Sequence, residues 1–139
     1  EISVSDLFHD VQTLYETKEE MAIHFEIKKD FILICDSDQI QQVLINLIKN
    51  SIEAVDVSSN PKIEVVAFVK DQIKTVAVID NGPGVLDDDA DKIFVPFFTT
   101  KSNGSGIGLS LSRQIMLMHN GSLEYSKGES GGSVFLLKF

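Results

Sequence analysis

Amide side chains follow one face of a predicted helix between Gln39 and Val55. At about 100° per residue, its polar residues fall within a stripe roughly 100° wide, and nearly every other position is apolar. The stripe consists of Gln39, Gln42, Asn46, Lys49, Asn50 and Glu53. Solvent-facing stripes are usually rich in Lys and Glu, whereas amide oxygens are hard neutral ligands suited to a Mg²⁺ that also holds phosphates. The stripe therefore indicates either an ordinary solvent face or a ligand-binding face.

A carboxylate and two glycines directly follow a predicted buried strand. The strand ends at Asp80, and Asn81, Gly82, Pro83 and Gly84 form a dense turn sequence. A carboxylate at a strand end can accept a hydrogen bond from a ligand amine, and glycine lets the backbone approach a flat ligand because it has no Cβ. The alternative is an ordinary strand-ending turn, for which Asp-Asn-Gly is a common sequence.

The stretch 94–109 combines an aromatic anchor, a polar loop and alternating glycines. Residues 99–106 include no large apolar side chain. Gly104, Gly106 and Gly108 alternate with other residues, and a helix is predicted to start at the last of these glycines. Backbone amides at a helix start form an anion site, and Lys101 and Arg113 could add positive charge. A Walker loop and a dinucleotide fingerprint are both missing, since Leu109 stands three residues after the second glycine. The alternative is a flexible surface loop.

The predicted elements suggest a mixed or antiparallel sheet with helices on one face. Strands come in adjacent pairs, which favours hairpins, and the strict β-α-β alternation of a doubly wound parallel sheet is missing. The expected helices span Ser5 to about Met21 with Ser5 as cap, Asp36 or Ser37 to Val55, a short acidic stretch Asp87 to Ile93, and Ile107 to Met118. The expected strands are Ile23–Ile27, a buried Phe31–Cys35, Ile63–Val69, Ile73–Ile79, Gly121–Tyr125 and Ser133–Phe139.

Composition narrows the class of protein. The 139 residues form one expected domain, residues 1–139, and carry 21 acidic against 12 basic side chains for a net charge of −9. This sign disfavours nucleic acid and anionic membranes as partners. No apolar run is long enough to cross a bilayer, and the single Cys35 allows no disulfide within the chain. With neither an initiator Met nor a leader peptide, we expect a segment of a longer protein.

Three motifs in a fixed order resemble the catalytic ATP-binding domain of sensor histidine kinases. Asn46-Leu-Ile-Lys-Asn50 is similar to the N box, Asp80-Asn-Gly-Pro-Gly84 to the first glycine box, and the Phe-rich stretch running into Gly104-Ser-Gly-Ile-Gly108 to the F box and second glycine box. The match extends over essentially the whole chain and is greatest to the nitrogen-regulation group. It implies the Bergerat fold of the GHKL superfamily: an α/β, two-layer sandwich with a mixed, mostly antiparallel sheet and a mobile ATP lid at about Phe98–Ser105.

The resemblance also implies the cofactors, ATP and Mg²⁺, and the residues that bind them. Asn50 would coordinate Mg²⁺, with Asn46 and Lys101 as further catalytic residues, and Asp80 would accept from the adenine amine. The remaining implied nucleotide contacts are Lys49, Gly82, Gly84, Thr100, Gly104, Ser105, Gly106, Ile107, Gly108, Leu109, Arg113 and Ser133. Family members often carry a basic and an aromatic residue where this chain has Glu53 and Ala54, so adenine stacking from this helix is not expected.

The implied reaction is transfer of the γ-phosphoryl group to a histidine. ATPases of the same fold place a Glu four residues before the metal Asn as general base, whereas Asn46 cannot take a proton. The expected partners are the dimerisation domain of the same kinase, which carries the acceptor histidine, and a response-regulator receiver domain. We expect a cytoplasmic, monomeric domain whose parent kinase can be anchored in the bacterial inner membrane. Two alternatives stay open: a stand-alone anti-sigma serine kinase, and a nucleotide-binding module without transfer activity.

Overall fold

A mixed sheet of five strands forms one layer of the structure, a computed structural model that describes residues 1–16, 23–56, 60–99 and 106–139. One strand pair is parallel and the other three are antiparallel, which confirms the expected mixed, mostly antiparallel sheet. In spatial order the strands are β2 (Ile23–Ile27), β4 (Ile63–Lys70), β5 (Ile73–Asp80), β7 (Ser133–Lys138) and β6 (Ser122–Lys127).

The second layer consists of helices that pack on one face of this sheet, namely α1 (Val4–Thr13), α2 (Ser37–Val55) and α3 (Gly108–Met118). On the covered face, Val65 of β4, Val78 of β5 and Phe135 of β7 pair in register and belong to the main core. Side chains of a strand alternate between its two faces. Asp80 and Ser133, each two residues from this row and paired with one another, therefore point toward the helices at the sheet's end.

Helix α2 begins and ends where its sequence predicts. The Asp36 carboxylate accepts a hydrogen bond from the Gln39 amide at 3.2 Å and caps the first turn. Its apolar face is buried at Ile40, Val43, Leu44, Leu47, Ile48 and Val55, whereas Gln42, Lys49 and Glu53 of the polar stripe are exposed. In the described part of the chain, no helix combines the length and apolar character needed to span a membrane.

The first helix differs from the prediction at both ends. Its cap is Ser3, whose hydroxyl accepts from the Asp6 amide at 3.0 Å, and not Ser5. The helix ends at Thr13 instead of Met21, and the Tyr15 amide then donates to Gln12 in a tighter turn. Residues 16–20 are all polar in the sequence, a composition that gives a helix no apolar face to bury. Residues 17–22 lie outside the described residues.

The strand predicted at Phe31–Cys35 is shorter and less buried than expected. Its paired part is β3 (Ile32–Leu33), which forms a separate antiparallel ribbon with β1 (Ile2–Ser3) and does not pair with β2. A ribbon with one face on the core exposes alternate side chains. Leu33 is accordingly buried, whereas Ile32 is 48% and Ile34 84% exposed. Adjacent strands do pair in the other two cases, β4 with β5 and β6 with β7.

The acidic stretch 87–93 forms successive turns and not the predicted short helix. Backbone bonds join residues three or four apart, from Asp89 to Leu86 at 2.9 Å, from Ala90 to Leu86 at 3.1 Å and from Lys92 to Asp89 at 2.8 Å. Leu86 is 74% exposed, and Ile93 is the buried apolar residue of this stretch. A segment with so little apolar surface on the core has no face to stabilise a regular helix, and its neighbouring carboxylates repel one another.

Candidate nucleotide-binding site

A cleft of about 490 Å³ opens between α2, the start of α3 and the adjoining ends of β5 and β7. Residues from all three sequence motifs line it, together with Ser133 from the last strand. The predicted site residues in its wall are Asn46, Lys49, Asn50, Asp80, Gly84, Gly106, Gly108, Leu109 and Ser133. The fold thus brings together positions that are nearly 90 residues apart in the chain, which is the arrangement that the motifs require.

Asp80 lies at the closed end of the cleft and is only 5% exposed. One carboxylate oxygen accepts from the Gly82 amide at 3.0 Å, and the other accepts from the Ser51 hydroxyl at 3.0 Å. Ser51 is buried on α2 and was not singled out by the sequence analysis. These two bonds orient the carboxylate from the sheet side and from the helix side, so its direction in the cleft is fixed by the fold.

The turn that follows Asp80 packs closely on the backbone of Gly132 at Gly84. Its φ is +74°, and a Cβ at this position would lie 2.8 Å from the carbonyl oxygen of Gly132. The next residue, Val85, donates its amide to the Tyr125 hydroxyl at 3.1 Å, and the Tyr125 ring packs on Phe135 with centroids 5.3 Å apart. Tyr125 therefore ties this turn to the edge strand, a role that no local sequence pattern indicates.

The amides of α2 form the opposite wall. Asn46 and Asn50 are half-buried and lie one helical turn apart, with the exposed Lys49 between them. The Asn46 side-chain nitrogen donates to the buried Ser112 hydroxyl of α3 at 2.9 Å. Ser112, like Ser51, was missed by the sequence analysis. Asn50 supplies an amide oxygen of the type that Mg²⁺ accepts, so it is the residue of this wall that could hold a metal beside a phosphate group.

The start of α3 closes the third side. The side chain of the N-cap residue Ile107 makes no capping hydrogen bond to the first turn, whose amides are of the kind that bind an anion. Gly108 packs on α2, where an added Cβ would lie 2.6 Å from the Asn46 side-chain oxygen. The Phe97 amide donates to the Gly106 carbonyl at 2.8 Å and joins the two sides of the preceding loop. Four predicted contacts in that loop, Thr100, Lys101, Gly104 and Ser105, lie outside the described residues.

Three other predicted contacts do not line the cleft. The Arg113 guanidinium lies 5.1 Å from the centroid of the Phe94 ring, and Arg113 and Ile107 both line a second groove on the far side of α3. For Arg113 to meet a phosphate group in the cleft, its side chain would have to leave Phe94. Gly82 contributes its amide to Asp80 and packs against the end of α2, where a Cβ would lie 2.9 Å from the Ala54 carbonyl.

The cleft suits a nucleotide that carries a cation. Among its described lining residues, Glu53, Asp80 and Asp89 carry carboxylates and Lys49 carries an ammonium group. This balance disfavours a free polyanion and favours one whose charge a metal ion partly neutralises. The Asp80 carboxylate is suited to an amine and the Asn50 amide to a hard cation, and both line the same cleft.

Comparison with known proteins identifies the class that this fold and site define. Residues 35–139 match the family described as histidine kinase-, DNA gyrase B- and HSP90-like ATPase, and the chain belongs to this family. Among solved structures, the catalytic domain of histidine kinase ThkA superposes with a TM-score of 0.85 at 32% identity, over 99% of this chain and 95% of that one. The chain is accordingly an ATP-binding catalytic domain of the histidine kinase type, as the resemblance implied, and the expected fold is confirmed.

Relatives of known sequence are sensor kinases of greater length. The chain is 34% identical over 140 residues to an NtrY-like sensor histidine kinase of Rickettsia conorii, a match that spans 97% of this chain and 23% of the relative. It is 40% identical over 105 residues to the sensor protein FixL of Bradyrhizobium diazoefficiens, spanning 75% of this chain and 21% of the relative. The chain therefore spans less than a quarter of the length of each of these relatives.

Proposed function

We propose that this domain binds Mg²⁺-ATP in the cleft and transfers the γ-phosphoryl group to a histidine on a separate dimerisation domain of a sensor kinase. The observation that carries the proposal is the placement of Asp80 and Asn50 in one cleft, with the uncapped first turn of α3 on its third side. This placement supports a base acceptor, a metal ligand and an anion site along one cavity, as a purine nucleoside triphosphate would need.

The sheet end of the cleft would hold the adenine. Asp80 would accept a hydrogen bond from the exocyclic amine, because its carboxylate is already oriented by Ser51 and the Gly82 amide. Gly84 would let the base lie against the backbone, and Ser133, paired with Asp80 across the strands, could bind a water that also contacts the base. Glu53 and Ala54 supply no ring for stacking, so affinity for the base would rest on hydrogen bonds and on the apolar wall.

The helix end of the cleft would hold the phosphates. Asn50 would hold Mg²⁺, which when bound would neutralise negative charge on the phosphate oxygens. The free amides of the first turn of α3 would donate to the same oxygens, together with the exposed Lys49 ammonium group. Contacts from Gly106 and Leu109 complete this end, and we retain Thr100, Lys101, Gly104 and Ser105 as predicted phosphate contacts and Lys101 as a predicted catalytic residue.

The transfer itself demands little acid–base chemistry from the domain. The neutral imidazole of the acceptor histidine attacks the γ-phosphorus with its own lone pair, the bond to the ADP oxygen breaks, and the other ring nitrogen releases its proton. Asn46 is neutral and cannot act as a base for water, which disfavours hydrolysis of ATP. The residues of the cleft would then accelerate transfer by holding the triphosphate in position and by offsetting its charge.

The partners follow from the proposed reaction. Histidine kinase ThkA, 32% identical to this chain over 41% of that chain's length, has been solved in complex with the response regulator TrrA. By analogy, we propose that a response-regulator receiver domain takes the phosphoryl group from the phosphorylated histidine. Because ATP and response regulators occur in the cytoplasm, the domain would act there, whatever the topology of its parent kinase.

Phosphoryl transfer from γ-labelled ATP tests the proposal. The domain is incubated with a dimerisation hairpin that carries the acceptor histidine or with a serine-bearing anti-sigma antagonist, and the Asn50→Ala domain serves as background control. We expect label on the hairpin that is labile in acid and stable in alkali, as a phosphoramidate is. Label on the serine protein, stable in acid, would instead identify a serine kinase. Label on neither acceptor would indicate a nucleotide-binding module without transfer activity.

A further inference from the structure

The contact between α2 and α3 at the cleft depends on one side-chain pair. Asn46 of α2 donates to the hydroxyl of Ser112, which is 3% exposed and lies one turn into α3. The same amide lies close to Gly108, the first residue of that helix, where an added Cβ would lie 2.6 Å from the Asn46 side-chain oxygen. The Asn46 amide therefore meets α3 at two points: it donates a hydrogen bond to the second turn and lies close to the first residue of the helix.

This pair places the anion site relative to the metal site. Asn50 lies four residues, about 6 Å, from Asn46 along α2, and the first-turn amides of α3 begin at Gly108. The Asn46 side chain therefore lies next to both groups that would hold the phosphates, Asn50 on its own helix and the first-turn amides of α3. The base end of the cleft, formed by Asp80 and Ser133, is built on the sheet, where Asp80 accepts hydrogen bonds from Ser51 and Gly82.

We infer that Ser112 is a positioning residue for phosphate binding, which acts through Asn46 by holding the first turn of α3 against α2. This inference rests on the proposed nucleotide function. It assigns to Asn46 the role of a support between the two helices, since its nitrogen is already bonded to Ser112 and its oxygen lies against Gly108. Asn50, one turn away, remains the residue that would hold the metal.

Removal of the hydroxyl should weaken phosphate binding and leave base binding unchanged. In the Ser112→Ala domain we expect the dissociation constant for the Mg²⁺ complex of a non-hydrolysable ATP analogue, measured by calorimetry, to rise about threefold to tenfold, the value of one hydrogen bond. Adenosine affinity, measured by NMR titration, should stay within about twofold, because the sheet end does not contact Ser112. Ser110→Ala is the matched control, since Ser110 lies on the same helix, bonds to Ile107 and lines the second groove.

A double-mutant cycle separates positioning from a general structural effect. If Ser112 acts through Asn46, then Ser112→Ala should cause no further loss in an Asn46→Ala background. Additive effects of the two substitutions, equal weakening of adenosine and ATP-analogue binding, or unchanged binding in the Ser112→Ala domain would each overturn the inference. If the unaltered domain binds no Mg²⁺-nucleotide, the proposed function fails and the inference fails with it, whereas normal binding with an additive cycle refutes the inference alone.

Discussion

Asp80→Asn changes the chemistry of the proposed base contact while the fold can keep its local bonds. The asparagine oxygen can still accept from the Gly82 amide, and its nitrogen can donate to the Ser51 hydroxyl, which accepts as readily as it donates. The substitution should therefore lower the free energy of unfolding by the equivalent of one weakened hydrogen bond, roughly 1 kcal/mol. In a domain of this size that corresponds to a fall in melting temperature of a few degrees, about 3–5 °C.

The loss to nucleotide binding should be larger. A hydrogen bond from the adenine amine to a carboxylate contributes about 1.5–3 kcal/mol, and the asparagine amino group would meet the ligand amine as a second donor. This predicts a rise in the dissociation constant of Mg²⁺-ADP by about 10- to 150-fold. Inosine diphosphate carries an oxygen in place of the amine, so its affinity should not fall in the Asp80→Asn domain. The preference of the domain for ADP over inosine diphosphate should therefore be smaller in this variant than in the unaltered domain.

Isothermal calorimetry with both diphosphates measures this change directly. Asp88→Asn is the matched control, because it makes the same substitution at an exposed residue outside the cleft lining and should leave both affinities unchanged. Thermal unfolding of each variant checks that the fold is retained. Equal affinity of the unaltered and Asp80→Asn domains for Mg²⁺-ADP would refute the assignment of Asp80 to the base.

Three further predictions concern the metal, the turn and acid stability. Asn50→Ala should raise the Mg²⁺ concentration that supports ADP binding about tenfold or more while adenosine titrations stay unchanged. Gly84→Ala should lower the free energy of unfolding in denaturant more than Gly131→Ala, because both have positive φ but a Cβ collides only at the first position; equal losses would contradict this. Hydrogen bonds, chiefly from the Ser5 hydroxyl, lower the pKa of Asp30 in the folded state. The ionised carboxylate therefore adds to the free energy of unfolding at pH values above its unfolded-state pKa, and this stabilisation is lost as the pH falls through its folded-state pKa. Asp30→Asn should therefore flatten the loss of stability as pH falls below about 4, measured by denaturant unfolding.

Elements with a strong local pattern could be predicted from the sequence. Helix α2 has both a long apolar period and a capping Asp36, and its observed bounds agree with the prediction. Two predictions were wrong: the end of the first helix, and a helix over the acidic stretch 87–93. In both cases a few helix-compatible residues led to a helix being predicted across a segment that has little apolar surface to bury. The separate pairing of β3 with β1 depends on contacts between distant parts of the chain, which local periodicity does not report.

The residues of the cleft could be predicted only where they lie in a short motif of neighbouring residues. Asn50, Asp80 and Gly84 lie in short motifs of polar and glycine residues, and all three line the cleft. Their supports carry no such motif, because Ser51 meets Asp80 across 29 residues and Ser112 meets its partner across 66. A serine within the apolar face of a helix is nevertheless a usable indication, since a buried hydroxyl requires a partner. The displaced position of Arg113 follows from its contact with Phe94, which spacing alone does not reveal.

The central claim is that a purine nucleotide occupies the cleft with its base at Asp80 and its phosphates at Asn50 and the start of α3. A crystal structure of the domain grown with Mg²⁺ and a non-hydrolysable ATP analogue tests it most directly. We predict the exocyclic amine within hydrogen-bond distance of the Asp80 carboxylate and a metal ion on the Asn50 amide oxygen. A nucleotide bound elsewhere, such as in the groove beside Phe94, or one with its base directed away from Asp80, would contradict the account.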